Sequence, residues 1–480
     1  MKAYDFSKRG KLNLYEYLYR CLKEDILEGK IAAEEKLPSK RELAGAYGIS
    51  VKTVENAYAQ LLTEGYVEAE EKRGYFAAKV ECGAHSFAAA GKLLASHGAS
   101  SGYGFAAGLS GEMRYAEEKW FADFTSSNTV YEKFPFSQWS RVMRETLSYR
   151  EEELLRTAPF QGVRELREEI AGYLYRNRGM QVSPDCILIG AGTEYLYGRL
   201  LELLPAGSIY AAEDPGYRKI TKLYEGHGAS FCYVPVDGEG VCVEALRESG
   251  ASVVHVSPGY HFPLGFVMPV GRRQALLSWA GEEPERYIVE DDYDCELRYF
   301  GHPAPAIQSM DVSHRVIYLN TFSKMLAPSL RVSYMVLPPK LMDRYVQKMN
   351  YYSNTVSSFE QYALASFLQK GFFERHVNRM RKYYREYRNR IVQYIKEASL
   401  PVSEIKGGDA GTRLLVKVDS TLTDTQIKWA AREAGIKIEC LSEFCHEKKE
   451  EYDGTIILNY ADLSEEVLKE AIFRLAHIFA

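Results

Sequence analysis

Apolar residues recur every four positions at Leu14, Leu18, Leu22 and Ile26, one stripe that predicts a helix over residues 13–28. Gly29 stops it. Ser39-Lys40-Arg41-Glu42 then has the form of a capping box: the Ser39 hydroxyl caps and Glu42 reaches back. A short helix with Leu43, Ala44 and Tyr47 follows, and Gly48 makes a tight turn. Ser50 caps a third helix carrying Val51, Val54, Ala57, Tyr58, Leu61 and Leu62, which ends at Gly65. Residues 66–69 and 75–77 read as two short strands around a polar turn at 71–74. Two helices joined by a glycine turn of this size have helix-turn-helix spacing, and the trailing hairpin would be a wing.

Residues 81–115 are rich in Gly, Ala and Ser and lack a strong period, so they read as a flexible linker with a short helical piece near 91–96. From about Trp120 strand and helix patterns alternate. Helical spacing runs over 160–180 through Leu166, Ile170, Tyr173 and Leu174, and again over 193–204. Short apolar strands fall at 186–189, 208–211, 231–234, 253–256, 287–289 and 316–319. Such alternation predicts an α/β fold with a mostly parallel sheet covered on both faces. Long helices are expected over 346–372 and 373–398, then strands at 413–418 and 455–458 and a closing helix over 464–479. The expected plan is a winged helix-turn-helix domain at 1–80, a linker at 81–115 and a third unit at 116–480. That last unit divides into a large part at about 160–340 and a smaller α+β part at about 341–480.

At 480 residues the chain fits roughly three units of about 150 residues each. No apolar run reaches the roughly 18 residues of a membrane span, and the first residues are too polar for a secretory leader. The eight cysteines are scattered without zinc spacing, as expected for reduced thiols in the cytoplasm with no metal site. Net charge is −5, but residues 1–80 hold 14 basic against 13 acidic side chains. A mildly basic front on an acidic bulk permits a nucleic-acid contact without demanding one.

The candidate chemistry lies at strand ends. Thr321-Phe322-Ser323-Lys324 with Pro328 and Arg331 follows a strand; a lysine there can condense with an aldehyde, and the hydroxyls and guanidinium can bind a phosphate. Glu290-Asp291-Asp292-Tyr293-Asp294 follows another. A carboxylate at that position can pair with a protonated pyridine nitrogen, the pairing that makes pyridoxal 5'-phosphate an electron sink, and Tyr293 can meet the ring's phenolic oxygen. A solvated acidic loop is the plainer alternative, but it leaves the lysine motif unexplained. Gly190-Ala191-Gly192-Thr193-Glu194, between strand and helix, suits a phosphate at a helix N-terminus. Glu213-Asp214-Pro215-Gly216-Tyr217 offers a ring to stack on a cofactor, and Pro258 to Gly265 forms a fifth motif.

Together these motifs resemble the fold-type-I aminotransferases, with further matches at Phe134-Pro135 and Trp139, Gly162 and Leu166-Arg167, and Arg178-Gly179. The run Lys36 to Ala44, then Tyr47-Gly48-Ile49-Ser50, Thr53-Val54, Tyr58, Leu61 and Glu64-Gly65-Tyr66, resembles the GntR-type winged helix. The whole chain, from about residue 12 to 476, is therefore similar to the MocR subfamily of GntR-type transcriptional regulators. The resemblance implies Lys324 as the Schiff-base lysine, Asp291 at the pyridine nitrogen, Tyr293 at the phenolic oxygen and Tyr217 over the ring. It implies Gly192, Thr193, Thr321, Ser323 and Arg331 around the phosphate. In the DNA-binding half it implies Ser39, Arg41, Ser50, Lys52 and Thr53 at phosphate or base-reading positions, with Arg73 on the wing. The implied partners are double-stranded operator DNA, a small amino compound or pyridoxal phosphate itself as effector, and a second copy of the chain in a homodimer.

Three departures bear on function. The family's recognition helix reads Ser-Arg-Asn-Thr-Val, and here Val51 takes the arginine position. Tyr260 and Leu264 replace His and Thr in the fifth motif. Ile457 stands where an arginine would clamp an amino acid's α-carboxylate, so Arg413 or Arg218 must substitute, or the ligand is not an ordinary α-amino acid. The leading expectation is a regulator that senses an amino compound through Lys324. A regulator that senses pyridoxal phosphate and an active aminotransferase carrying a DNA-binding domain stand as alternatives. Complete transamination is not expected, while a residual aminotransferase half-reaction stays open.

Overall fold

The computed structural model describes residues 4–9, 12–70, 73–79, 119–126, 128–299 and 305–479. The expected linker at 81–115 and residues 71–72 of the hairpin turn lie outside them. The chain forms two units, Met1–Ala116 and Glu117–Ala480.

In the first unit α1 (Leu14–Leu27), α2 (Lys40–Tyr47) and α3 (Val51–Thr63) are followed by β1 (Val67–Glu70) and β2 (Gly74–Ala77), an antiparallel hairpin pairing Val67 with Ala77. The start of α2 is the expected capping box: Ser39 Oγ accepts from the Glu42 amide at 3.3 Å, and a Glu42 oxygen accepts from the Ser39 amide at 2.9 Å. Gly48 closes α2 in the left-handed region at φ 64°, where a side chain would be strained. Leu18, Leu22, Val54, Ala57, Tyr58 and Leu61 are fully buried together, each fully buried leucine or valine being worth about 1.5–3 kcal/mol.

The second unit is built on an eight-stranded sheet of β3 (Ile187–Gly190), β4 (Ile209–Asp214), β5 (Ser230–Asp237), β6 (Gly240–Val241), β7 (Val253–Val256), β8 (Tyr287–Asp291), β9 (Val316–Thr321) and β10 (Ser333–Val336). Their spatial order is β3-β10-β9-β8-β7-β4-β5-β6. All neighbours are parallel except β10, antiparallel to β3 and β9, and β6, antiparallel to β5. Successive strand residues enter opposite cores: Val253, Val289 and Ile317 pack on one face, Val254, Ile288 and Val316 on the other. Both faces are apolar because helices cover both. The first core includes α6 (Thr193–Leu203) and α7 (Arg218–Gly226), and the second includes α8 (Val270–Gly281). A further core joins α4 (Phe136–Tyr149) and α5 (Arg164–Arg178) to the later helices and the small sheet.

Two features depart from the sequence reading. Residues 346–372 are not one helix: α9 (Pro339–Met349) and α10 (Ser358–Gln369) are separated by residues 350–357. Asn354 stabilises this break by donating to the carbonyls of Phe160 and Ile189 at 3.0 and 2.9 Å, bonds a continuous helix would forfeit. The strand β10, entered two residues after Arg331, inserts antiparallel between β3 and β9. After α11 (Phe372–Glu397) a small antiparallel sheet forms from β11 (Val402–Gly407), β12 (Arg413–Val418), β13 (Glu439–Cys440) and β14 (Thr455–Asn459), in the order β11-β12-β14-β13. The helices α12 (Asp424–Glu433) and α13 (Glu465–Ile478) complete the unit. Among the described residues no helix is long and apolar enough to cross a membrane.

Candidate functional site

The C-terminal ends of β8 and β9 and the turn before α6 converge on a cleft of about 370 Å³. Lys324, Asp291, Tyr293, Tyr217, Thr193, Thr321, Ser323, Arg331 and Arg413 all line it. This is where loops leave the carboxyl ends of parallel strands, the usual ligand position in an open α/β sheet.

Lys324 follows β9 on a short turn. Burial pushes its ammonium below the ordinary lysine range; nearby Asp294 opposes that shift and Arg413 adds to it. A larger neutral fraction makes the amine a better nucleophile. Its nearest described carboxylate is Asp294, fully buried, with Oδ1 4.0 Å from Nζ.

Asp291 ends β8. Its Oδ2 accepts from the Tyr197 hydroxyl at 3.4 Å and lies 3.5 Å from His255 Nε2, while Oδ1 is buried without a hydrogen-bond partner. The Tyr293 hydroxyl and Ser323 Oγ are likewise buried and unpartnered. Arg413 Nη1 is a fourth such atom on the same lining; buried polar atoms normally find partners, so orphans gathered in one cleft mark a place for a ligand. An acceptor at a strand end, a phenol two residues on and a hydroxyl beside a glycine turn at a helix N-terminus fit pyridoxal phosphate's ring nitrogen, phenolic oxygen and phosphate.

The end of the cleft where the sequence predicts a phosphate is shaped by Gly192, the N-cap of α6, at φ 98°. A Cβ there would meet Arg331 Nη2 at 2.1 Å, so only glycine lets the guanidinium approach. Arg331 donates to Glu194 Oε2 at 2.5 Å, and Lys219 pairs with the same carboxylate. Burial pushes Glu194 up, but these cations and its own backbone bond prevail and hold it at about 2. The Thr321 hydroxyl accepts from the Ser323 amide at 3.1 Å and from Ser333 Oγ at 2.8 Å. Thr355 Oγ1 accepts from the Ala191 amide at 3.1 Å, so the break between α9 and α10 supports the same turn.

On the outer wall Tyr217 meets Phe262 edge to face at 5.4 Å, and Phe262 meets Phe444 at 4.9 Å. Arg413 lies over Phe262 at 4.7 Å and 3.8 Å from Asp294 Oδ2. Ile457 is buried and lines the cleft, with Leu415 beside it on the same sheet. The other proposed carboxylate anchor, Arg218, is not part of this wall: it donates to the Glu443 carbonyl at 2.9 Å and lines a neighbouring recess. Sequence reasoning did not single out Asp294, Lys219, Glu439, His255 or Thr355 for this site. Asp294 was within reach, since it lies inside a motif already noted.

In the first unit Ser39 and Ser50 cap α2 and α3, the Thr53 amide donating to Ser50 Oγ at 3.1 Å. Arg41, Lys52 and Arg73 are exposed. Lys52 pairs with Glu55 at 2.9 Å, and Arg73 pairs with Glu70. Val51, in the first turn of α3, is also exposed. The features of a helix-turn-helix reader, two capped helix N-termini and exposed cations, are thus present together.

Residues 14–76 match the model of the gntR family of bacterial regulatory proteins, and residues 123–475 match aminotransferase class I and II. The chain is 36% identical to the HTH-type transcriptional regulator YdeL of Bacillus subtilis, over 96% of each chain. It is 31% identical to the probable rhizopine catabolism regulatory protein MocR of Rhizobium meliloti, over 97% of this chain and 94% of that one. Kynurenine aminotransferase of Pyrococcus horikoshii has the same fold in its solved structure, with a TM-score of 0.65 and 25% identity over 75% of this chain and 91% of that one.

Proposed function

The chain belongs to the GntR/MocR-type transcriptional regulators, and from that premise we propose that it binds operator DNA through its winged helix and responds to a small amino compound received in the Lys324 cleft, with pyridoxal 5'-phosphate held there. The observation that carries this reading is the trio of unpartnered buried atoms, Asp291 Oδ1, Tyr293 OH and Ser323 Oγ, in one cleft with Lys324. When bound, the cofactor supplies an aldehyde that condenses reversibly with amines and a ring nitrogen that draws electrons. Asp291, held by the Tyr197 hydroxyl, would keep the proton on that nitrogen. Tyr293 would donate to the phenolic oxygen, and Ser323, Arg331 and the Gly192 turn would hold the phosphate. Tyr217 would cover the ring and exclude water. Operator reading would use a homodimer, since one winged helix reaches one half-site and two copies supply both.

The test uses the full-length protein. Incubated with pyridoxal phosphate it should gain visible absorbance, and borohydride should then fix the cofactor to Lys324, found by peptide mapping. Lys324→Ala should lose the fixed adduct. Operator binding, measured with and without pyridoxal phosphate and across a panel of amines, should change on adding an amine to the loaded protein. A response to pyridoxal phosphate alone would make the cofactor itself the effector. No response to either would remove the sensing role.

A further inference from the structure

Strand register puts a particular set of side chains on the cleft face of the small sheet. Arg413 pairs with Asn459, Leu415 with Ile457, and Glu439 with Ile457. Directly paired residues share a face, as do alternate residues along one strand. Arg413 and Glu439 therefore occupy opposite corners, with Leu415 and Ile457 between them. Arg413, Ile457, Asn459 and Glu439 all line the Lys324 cleft.

The two charged corners are not equivalent. Arg413 has a counter-charge in buried Asp294, 3.8 Å away. Glu439 has none: no lysine, arginine or histidine nitrogen among the described residues lies within 4.0 Å of it. Its nearby cations are engaged elsewhere, Arg413 with Asp294 at 3.8 Å, Lys428 with Glu443 at 2.6 Å and Lys437 with Asp123 at 3.2 Å. Burial, then Glu443, pushes the Glu439 carboxyl above its ordinary range against the opposing pull of Arg413, Lys428 and Lys437, which marks a half-buried anion without full compensation. Arg413 Nη1 is buried without a hydrogen bond, but the one charge on this wall with no ion-pair partner within 4.0 Å among the described residues is the negative charge of Glu439. Ile457 meanwhile removes the usual demand for an α-carboxylate and offers an apolar strip beside Phe444.

We propose that the ligand of this cleft is an aliphatic compound with two amino groups, one offered toward Lys324 and the cofactor, the other held as an ammonium by Glu439, with the methylene stem on Ile457 and Phe444. A ligand ending in a carboxylate at that corner would set like charges together in a half-buried site. The proposal rests on the cofactor-and-amine reading above and adds the ligand's class.

Full-length protein loaded with pyridoxal phosphate is titrated calorimetrically with two matched pairs: butylamine against 1,4-diaminobutane, and norvaline against ornithine. The diamino member of each pair should bind at least about tenfold more tightly, one charge-assisted contact's worth. Glu439→Gln should bring each pair to within about twofold, and Glu439→Lys should move the preference to 4-aminobutyrate over butylamine. Equal affinities in the unmodified protein, or a diamine preference that survives either substitution, would overturn the proposal. The cofactor's visible absorbance separates the two levels. Absorbance that both members of a pair perturb with equal affinity defeats only the ligand class, whereas absorbance that never develops defeats the cofactor reading and this proposal with it.

Discussion

Glu213 is a carboxylate buried on β4, with Oε2 3.5 Å from His261 Nε2. Burial pushes Glu213 from its ordinary 4.5 up to about 8 and pushes the His261 imidazole down to about 3, so the two face each other as a neutral pair at intermediate pH. Between these two values for Glu213 the folded chain keeps a proton that the unfolded chain has lost. Stability must therefore fall as pH rises through that window. Glu213→Gln cannot ionise and escapes the penalty, while His261 is the same in both proteins. Its stability relative to the unmodified protein should rise by on the order of 3 kcal/mol from about pH 5 to about pH 9. Thermal unfolding at both pH values reads this directly, and a pH-independent difference would mean that Glu213 ionises normally in the fold.

Within an element, the turn from β3 into α6 shows how backbone geometry makes a binding site. Gly192 has no Cβ to collide with Arg331, and its φ of 98° is one that side chains rarely adopt. Gly192→Ala should add about 1–3 kcal/mol of local strain and push the guanidinium away. Affinity for pyridoxal phosphate, followed by absorbance titration, should drop roughly 10–100-fold. Unchanged affinity would show that this turn does not carry the phosphate. The loop between α9 and α10 acts from the other side: besides the two carbonyl bonds, Asn354 Oδ1 accepts from the Val356 amide and from Gln361 Nε2, both at 3.0 Å. Asn354→Ala leaves several of these groups unpaired and should cost about 1–3 kcal/mol in urea unfolding, against near-neutrality if the loop were passive.

For the whole molecule, two outcomes follow from which charges are present. Operator binding should weaken as salt rises, and Lys52→Ala, by removing one exposed cation from the first turn of α3, should weaken it further. The slope of log affinity against log salt should then become shallower by about one. An unaltered slope would place Lys52 away from the phosphates. Amino-acid turnover should be slow, below about one per second. The reason is that Ile457 cannot make the bidentate pair that orients an α-carboxylate, and orientation supplies much of the rate. Steady-state assays with common amino donors and 2-oxoglutarate or pyruvate as acceptors decide the point; faster turnover would mean that Arg413 restores the clamp.

Much of this protein was legible along the chain because the determinants are local. The capping box at Ser39 and Glu42 needs only four residues, and the glycine after α2 needs only its own φ. Apolar runs such as residues 253–256 announce strands buried on both faces. Asp291, Lys324 and Gly192 could be read because each sits at the end of a strand, where an α/β sheet always opens to ligands. Other features depend on residues distant in sequence. The antiparallel insertion of β10 follows from pairing with β3, more than a hundred residues earlier. The helix break at 350–357 is stabilised by bonds to carbonyls of residues 160 and 189. Glu439 acquires meaning only from sheet register, which sets it across from Ile457 and diagonally from Arg413. Spacing and composition determined which elements form and which side chains could carry chemistry. Tertiary structure alone decided which charges find partners, because a salt bridge or a buried orphan is a property of distances between strands that sequence order does not encode.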